Sequence, residues 1–223
     1  MKIAQAKIKQ ILLDGSLWLD CPSDLIPAPG QYVLAHKPAS DAPLPVSLFN
    51  IDFNSNGFRC APPIPLDWKP SDVITLRGVF GQGFSIPASA KKIALIAYEK
   101  SYARLQALIP LALKQNAEVV VVSDTKEIDV PEIIEIQPMQ LLGEVLSWAN
   151  YVAIDIAREN LNQLKEKLLE QNQASPKYEA QVLIHTSMPC GGVAECAVCA
   201  LTLNHEWRMI CKEGPVFRLQ DVL

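Results

Sequence analysis

From Lys91 onward the chain alternates short apolar runs with helically spaced stretches, and this restricts it to a parallel sheet covered on both faces. Lys92-Ile93-Ala94-Leu95-Ile96-Ala97 is a run of the kind buried on both sides of a sheet, and Ser101 to Lys114 follows with Leu105, Leu108, Leu111 and Ala112 at helical spacing. The pattern continues with Glu118 to Ser123, a helix near Met139 to Ala149, a strand at Tyr151 to Ile156 and a charged helix near Arg158 to Gln171. After the polar break Gln173-Ala174-Ser175-Pro176, Tyr178 to His185 forms one more strand-like run. Parallel neighbours need such crossovers because one strand must start at the edge opposite to where the other ended.

The first part of the chain follows a different rule. Of 17 prolines, 11 lie at or before Pro87, where they confine strands to edges and turns. Between them run the alternating segments Ile3 to Leu13, Gln31 to Ala35, Val46 to Phe53 and Val73 to Val79, which predict a small antiparallel barrel. The expected architecture is therefore an α+β fold in three parts: a barrel over residues 1–90, a parallel α/β domain over 91–180, and a small cysteine-bearing domain over 181–223.

Composition narrows the function. A net charge of -4 without a basic run argues against nucleic acid as a partner. Apolar stretches are broken by Lys, Asp or Pro well short of the roughly 20 residues a membrane helix needs, so no membrane association is expected. The opening Met1-Lys2-Ile3-Ala4-Gln5-Ala6-Lys7 lacks the apolar core of a secretory signal, which predicts a cytoplasmic protein.

Chemistry concentrates near the end. Cys190, Cys196, Cys199 and Cys211 follow the spacing C-x5-C-x2-C-x11-C, whereas Cys21 and Cys60 stand apart as small core residues. Three close cysteines and one remote thiolate resemble the plant-type ligation of a two-iron cluster. Gly191, Gly192 and Ala194 suit a loop whose amides must approach inorganic sulfide, since larger side chains would block that approach. Four cysteines can also hold structural zinc, although zinc sites more often use two C-x2-C pairs, and metal-free thiols are the plainest alternative. His205, between Cys199 and Cys211, offers a three-cysteine, one-histidine variant; His36 and His185 have no metal-pair spacing. Ser16, Ser47 and Ser187 lack a Gly-x-Ser-x-Gly setting. Trp68 and Trp207 are expected in the core.

Five blocks in order and spacing resemble the electron-transfer subunit of dihydroorotate dehydrogenase, within the ferredoxin-reductase superfamily. Met188 to Cys199 and Cys211-Lys212-Glu213-Gly214-Pro215-Val216-Phe217 are similar to that subunit's cluster segment. Pro29-Gly30-Gln31-Tyr32-Val33, Pro45-Val46-Ser47 and Gly78-Val79-Phe80-Gly81-Gln82-Gly83-Phe84 are similar to its Pro-Gly-Gln, Arg-Pro-x-Ser and Gly-Pro-Leu-Gly-x-Gly-Phe motifs. The resemblance implies a flavin-binding barrel, a nicotinamide-binding α/β domain, and a 2Fe-2S cluster that relays electrons to a separate catalytic flavoprotein, with dihydroorotate dehydrogenase the first candidate partner in a hetero-oligomer. It implies a role in pyrimidine biosynthesis. A regulatory subunit with zinc or empty cysteines is the alternative.

The departures from that family are specific. Leu44 stands where an Arg would pair with the flavin pyrophosphate, leaving Ser47 as the flavin-side hydrogen-bonding candidate. Asn56-Gly57-Phe58-Arg59-Cys60-Ala61-Pro62-Pro63 replaces the Gly-x-Gly-Thr phosphate loop, and the first cysteine interval is one residue longer than usual. After the first parallel strand, Ala97-Tyr98-Glu99-Lys100-Ser101-Tyr102 replaces a glycine-rich turn, and Ala153-Ile154-Asp155 replaces Cys-Gly-Pro. Between Lys91 and Lys177 the one glycine is Gly143. Phosphate needs close backbone approach at a helix N-terminus; the chain is therefore expected to bind FAD weakly or not at all, and neither to bind nor to oxidise NADH.

Overall fold

The computed structural model of the chain describes residues 1–38, 44–98, 102–125, 128–170, 178–203 and 206–223. Glu99, Lys100 and Ser101, the break Gln173-Ala174-Ser175-Pro176, and His205 lie outside the described residues.

Six strands close an N-terminal antiparallel barrel: β1 (Lys2–Ile11), β2 (Leu17–Asp20), β3 (Tyr32–His36), β4 (Val46–Asn54), β5 (Gly57–Cys60) and β6 (Val73–Phe80), in the order β1-β2-β5-β4-β3-β6. The four predicted strands are present. The two additional ones, β2 and β5, have four residues each, too few for alternation to stand out in the sequence. Leu17, Leu19, Phe58 and Cys60 point into the barrel core with Ile8, Leu48, Trp68, Ile74 and Leu76. Side chains alternate across β3: Val33 and Ala35 fill the barrel, while Tyr32 and Leu34 are buried on its outer face, in the core that also holds Cys199 and Cys211.

The second sheet contains β7 (Lys92–Ala97), β8 (Glu118–Val122), β9 (Glu135–Gln137), β10 (Tyr151–Ala157) and β11 (Glu179–His185), all parallel. The chain then forms the hairpin β12 (Ala200–Leu203) and β13 (Glu206–Met209), and returns to the sheet as β14 (Val216–Arg218), antiparallel to β11. The sheet order is β14-β11-β10-β7-β8-β9. Gln181, the expected start of the third part, thus lies within β11, and the cysteines sit on an excursion that begins and ends at this sheet.

Helices cover both faces. Ile93, Leu95, Val119, Val121 and Ala153 pack on one side against α1 (Ala103–Gln106) and α2 (Leu108–Lys114). Ala94, Ile96, Val120, Val152 and Ile154 pack on the other against α3 (Leu142–Trp148) and α4 (Leu161–Glu170). The sequence predicts one helix where α1 and α2 occur. Pro110 explains the break: in a continuous helix its ring would collide with the carbonyl of Gln106, four residues earlier, so the helix interrupts at Ala107 and restarts. Two short helices, α5 (Ile210–Glu213) and α6 (Leu219–Val222), complete the chain. Trp68 is in the barrel core as expected, whereas Trp207 on β13 is 69% exposed, because a lone two-stranded hairpin has no second layer to cover it. Among the described residues no helix is long and apolar enough to cross a membrane.

Phe58 is fully buried and ties β5 into the barrel core. Phe58→Ala is expected to lower stability by about 3–5 kcal/mol, read as a lower urea midpoint at an unchanged slope; a shift below 1 kcal/mol would place the barrel core elsewhere.

Candidate metal centre

The segment after β11 brings the four C-terminal cysteines together, with Cys211 in contact with both Cys199 and Cys190. The Cys196 Sγ is 3.5 Å from the Cys190 Sγ, and the backbone N–H of Cys211 donates to the Cys199 Sγ at 3.4 Å. Cys199 and Cys211 are buried, Cys190 is half-buried and Cys196 is exposed, so one pair faces the interior and the other the surface. Among the described residues no three His, Cys, Asp or Glu side chains close around a point that a single ion could fill. Cys21 and Cys60 lie in the barrel core, away from this group.

Electrostatics separates the thiols further. Burial pushes the Cys190 thiol up, but the Ala194 backbone, the Cys196 thiol, the Gly192 backbone and Cys211 outweigh it and bring it down to about 7. Burial, then the neighbouring Cys199 and Cys190, pushes Cys211 up to about 12. Burial raises Cys21 to about 11 and Cys60 well above the ordinary thiol range, which marks both as inert core residues. Bringing four ionised sulfurs together without compensating cations is costly, and metal binding removes that cost.

The barrel holds this segment from outside. The Arg77 Nη2 on β6 donates to the Cys190 carbonyl at 3.1 Å, and the Tyr32 hydroxyl on β3 donates to the Cys211 carbonyl at 3.2 Å. Gly191 has φ +56, and a Cβ there would lie 2.6 Å from Leu34 and 3.2 Å from Phe80; its lack of a side chain lets the cysteine loop lie flat on the barrel. On the far side, the Arg158 guanidinium donates to the Val198 carbonyl at 2.7 Å. Sequence reasoning did not single out Arg77, Tyr32 or Arg158, since each meets the loop only through the fold.

The flavin-side candidates are placed as follows. Leu44 is an exposed apolar side chain, and the Ser47 Oγ on β4 is buried without a hydrogen-bond partner among the described residues. The stretch that would correspond to the family's phosphate loop is β5, whose backbone pairs with both β2 and β4. Its Arg59 is engaged by Asp14 and by the Ser16 Oγ.

The nucleotide-side positions lie at the carboxyl ends of β7 and β10. Connections leave β7 in opposite directions here, making this the topological switch point where open α/β sheets take ligands. The position is filled by the chain itself. Arg104 on α1 reaches both carboxylate oxygens of Asp155 with Nε at 2.9 and 3.0 Å, and the two side chains are 9% and 1% exposed. Tyr98 donates its N–H to the Asp155 carbonyl at 3.1 Å, and Tyr102 is buried with its hydroxyl on the Asp129 carbonyl. His185, at the end of β11, lies 3.9 Å from Asp155; burial and then Arg104 hold its imidazole below the usual range despite the opposing pull of Asp155 and Glu159. The sequence marks Asp155 as a charge inside an apolar strand, but its partner is visible only in the fold.

A barrel joined to a parallel α/β layer is a ferredoxin-reductase-like fold, and here a cysteine loop lies on the excursion between the last two strands. The fold is similar to a solved NADH-dependent reduced ferredoxin-NADP oxidoreductase, at 14% identity and TM-score 0.76 over 98% of this chain and 89% of that one. It is also similar to the Amycolatopsis cytochrome P450 reductase GcoB, at 13% identity and TM-score 0.62 over 83% and 71%, and to the ferredoxin reductase in carbazole 1,9a-dioxygenase, at 14% identity and TM-score 0.58 over 80% and 66%. At these identities the likeness establishes the fold alone. Residues 185–223 match the family of the iron-sulfur cluster binding domain of dihydroorotate dehydrogenase B. The match and the fold together support an electron-transfer subunit with an iron-sulfur site in its last segment. No curated protein matches the chain.

Two outcomes follow. In iron-free protein, iodoacetamide is expected to modify Cys190 well ahead of Cys211 and Cys60, with the Cys190 rate rising with pH and levelling above about 7, because the thiolate is the nucleophile; peptide mass mapping reads the order, and early modification of Cys60 would contradict it. Asp155→Ala leaves Arg104 buried and unpaired and is expected to cost about 3–5 kcal/mol in thermal or urea unfolding.

Proposed function

We propose that Cys190, Cys196, Cys199 and Cys211 hold one 2Fe-2S cluster, and that the chain relays single electrons to or from a catalytic flavoprotein subunit. The observation that carries this reading is the gathering of the four thiols, Cys196 on Cys190 and Cys211 on both Cys199 and Cys190, within a segment that matches an iron-sulfur binding domain. A cluster spreads its thiolate contacts over two irons, whereas a single zinc asks for four donors around one point. When bound, the cluster supplies a one-electron couple and no bond-making chemistry.

The chain's own residues do the remaining work. The buried side chains of Tyr32, Leu34 and Ile210 keep water from the inner pair of sulfurs, and the Cys211 N–H is directed at the Cys199 sulfur, where it offsets thiolate charge. Cys196 and the loop from Val193 to Ala197 remain open for docking, with Val193 and Val198 as exposed apolar contacts. Electrons pass by proximity through that edge.

We read the three segments 1–90, 91–180 and 181–223 as flavin-domain-like, nucleotide-domain-like and cluster-bearing. The first two are scaffolds. With Leu44 uncharged, β5 committed to the sheet and Arg59 engaged by Asp14, the positions where the resemblance places the pyrophosphate contacts supply no free cation, and Ser47 by itself holds FAD weakly or not at all. The Arg104–Asp155 pair fills the crevice a dinucleotide would enter. Electrons therefore arrive from a protein donor or from the partner, a flavoprotein for which dihydroorotate dehydrogenase is the first candidate, in a cytoplasmic hetero-oligomer.

Anaerobically purified protein is expected to absorb visible light and to bleach on reduction with dithionite, with Ser at any of the four cysteines lowering bound iron and Ser at Cys21 or Cys60 leaving it unchanged. Full iron and sulfide in Cys199→Ser, or a colourless zinc-containing protein, would overturn the assignment. Excess NADH is expected to leave the spectrum unchanged in the absence of a second protein; rapid bleaching would restore the nucleotide role.

A further inference from the structure

Arg77 is the barrel cation that touches the cysteine segment. Its guanidinium donates to the Cys190 carbonyl from a residue 113 positions away, and it lies 6.0 Å from the centroid of the Phe80 ring, against which Gly191 packs. Among the described residues no carboxylate pairs with it, although six Lys or Arg ion pairs occur among them. It lines a cleft of about 510 Å³ together with Cys190, Thr75, His36 and Leu34, and this cleft opens beside the sulfurs. The positive charge is therefore held beside the cysteine segment by a hydrogen bond to the Cys190 backbone, with no carboxylate paired to it among the described residues.

We propose that Arg77 holds the reduction potential of a cluster bound at Cys190 above the value the thiolates and sulfides alone would set. It acts as a positioning and charge-setting residue. The inference rests on the iron-sulfur reading above. Reduction adds one electron from an external reductant, breaks no bond and adds one negative charge to the site. A fixed cation stabilises that added charge, and the apolar packing of Leu34 and Phe80 limits the screening that water would provide. Its conformation is determined by β6 and by the Cys190 carbonyl, so the charge stays in place through the electron's arrival and departure.

The test is a redox titration with dithionite and mediators, followed by the visible spectrum, on the full chain with bound iron measured alongside. At the parent's midpoint potential, Arg77→Gln is expected to lower the reduced-to-oxidised ratio about tenfold, which for one electron is a shift of about 59 mV, while Arg77→Lys, which keeps the charge, stays near the parent. A second substitution leaves Arg77 and its hydrogen bond in place: Thr75→Glu puts a carboxylate two residues along the same face of β6 and is expected to lower the ratio in the same direction. The proposal fails if iron-loaded Arg77→Gln titrates with the parent, or if Arg77→Lys shifts as far as Arg77→Gln, because hydrogen-bond geometry would then be the cause. If Arg77→Gln loses its iron, Thr75→Glu decides, and an unchanged potential there overturns the proposal. A parent that binds no iron and sulfide would instead overturn the iron-sulfur reading itself.

Discussion

Four thiols can share a site only if the loop carrying three of them is pressed against something rigid, and here that support is the outer face of the barrel. Tyr32 and Leu34 point away from the barrel core yet are buried, because the cysteine segment covers them. The contact has two hydrogen-bonded ends, Arg77 on the Cys190 carbonyl and Tyr32 on the Cys211 carbonyl, with Gly191 lying flat between them. A neutral buried hydrogen bond contributes roughly 0.5–1.5 kcal/mol and a charged one about twice that, so the grip is modest in energy but definite in geometry. A site that passes electrons needs a fixed geometry more than additional stability.

The sheet supplies the other half of the constraint. β11 leads out to the first three cysteines, and β14 brings the chain back just after the fourth. Gly214 and Pro215 tie this return to the segment following the barrel, through the Gln82 N–H on the Gly214 carbonyl at 2.6 Å and the bridge between Gln82 and Pro215. Barrel, sheet and cysteine loop thus meet at one place. At the sheet's switch point Arg104 and Asp155 form a buried pair whose desolvation is offset only while both partners are present.

Much of this was legible in the sequence because it rests on local repetition. Period-two runs located β1, β3, β4 and β6, buried-strand runs located β7, β8, β10 and β11 but not the three-residue β9, and cysteine spacing located the candidate site. What local pattern could not reveal is instructive. The strands β2 and β5 are too short to show alternation, and the helix break at Ala107 follows from Pro110, a steric effect that apolar spacing does not register. Trp207 reads as a core residue by type, but its place on an uncovered hairpin leaves it exposed.

The sequence by itself determined the class of each segment and the chemistry of the cysteines, since thiol type, glycine placement and hydrophobic period are properties of neighbouring residues. Only the tertiary structure decided which of the four sulfurs are buried and which exposed, and which cation stands beside the loop that carries them. Arg77 and Cys190 are separated by 113 positions, as Arg104 and Asp155 are by 51. No local pattern links residues so far apart. Their meeting depends on how the barrel closes and how the sheet is ordered, and these follow from burying both faces of every strand at once.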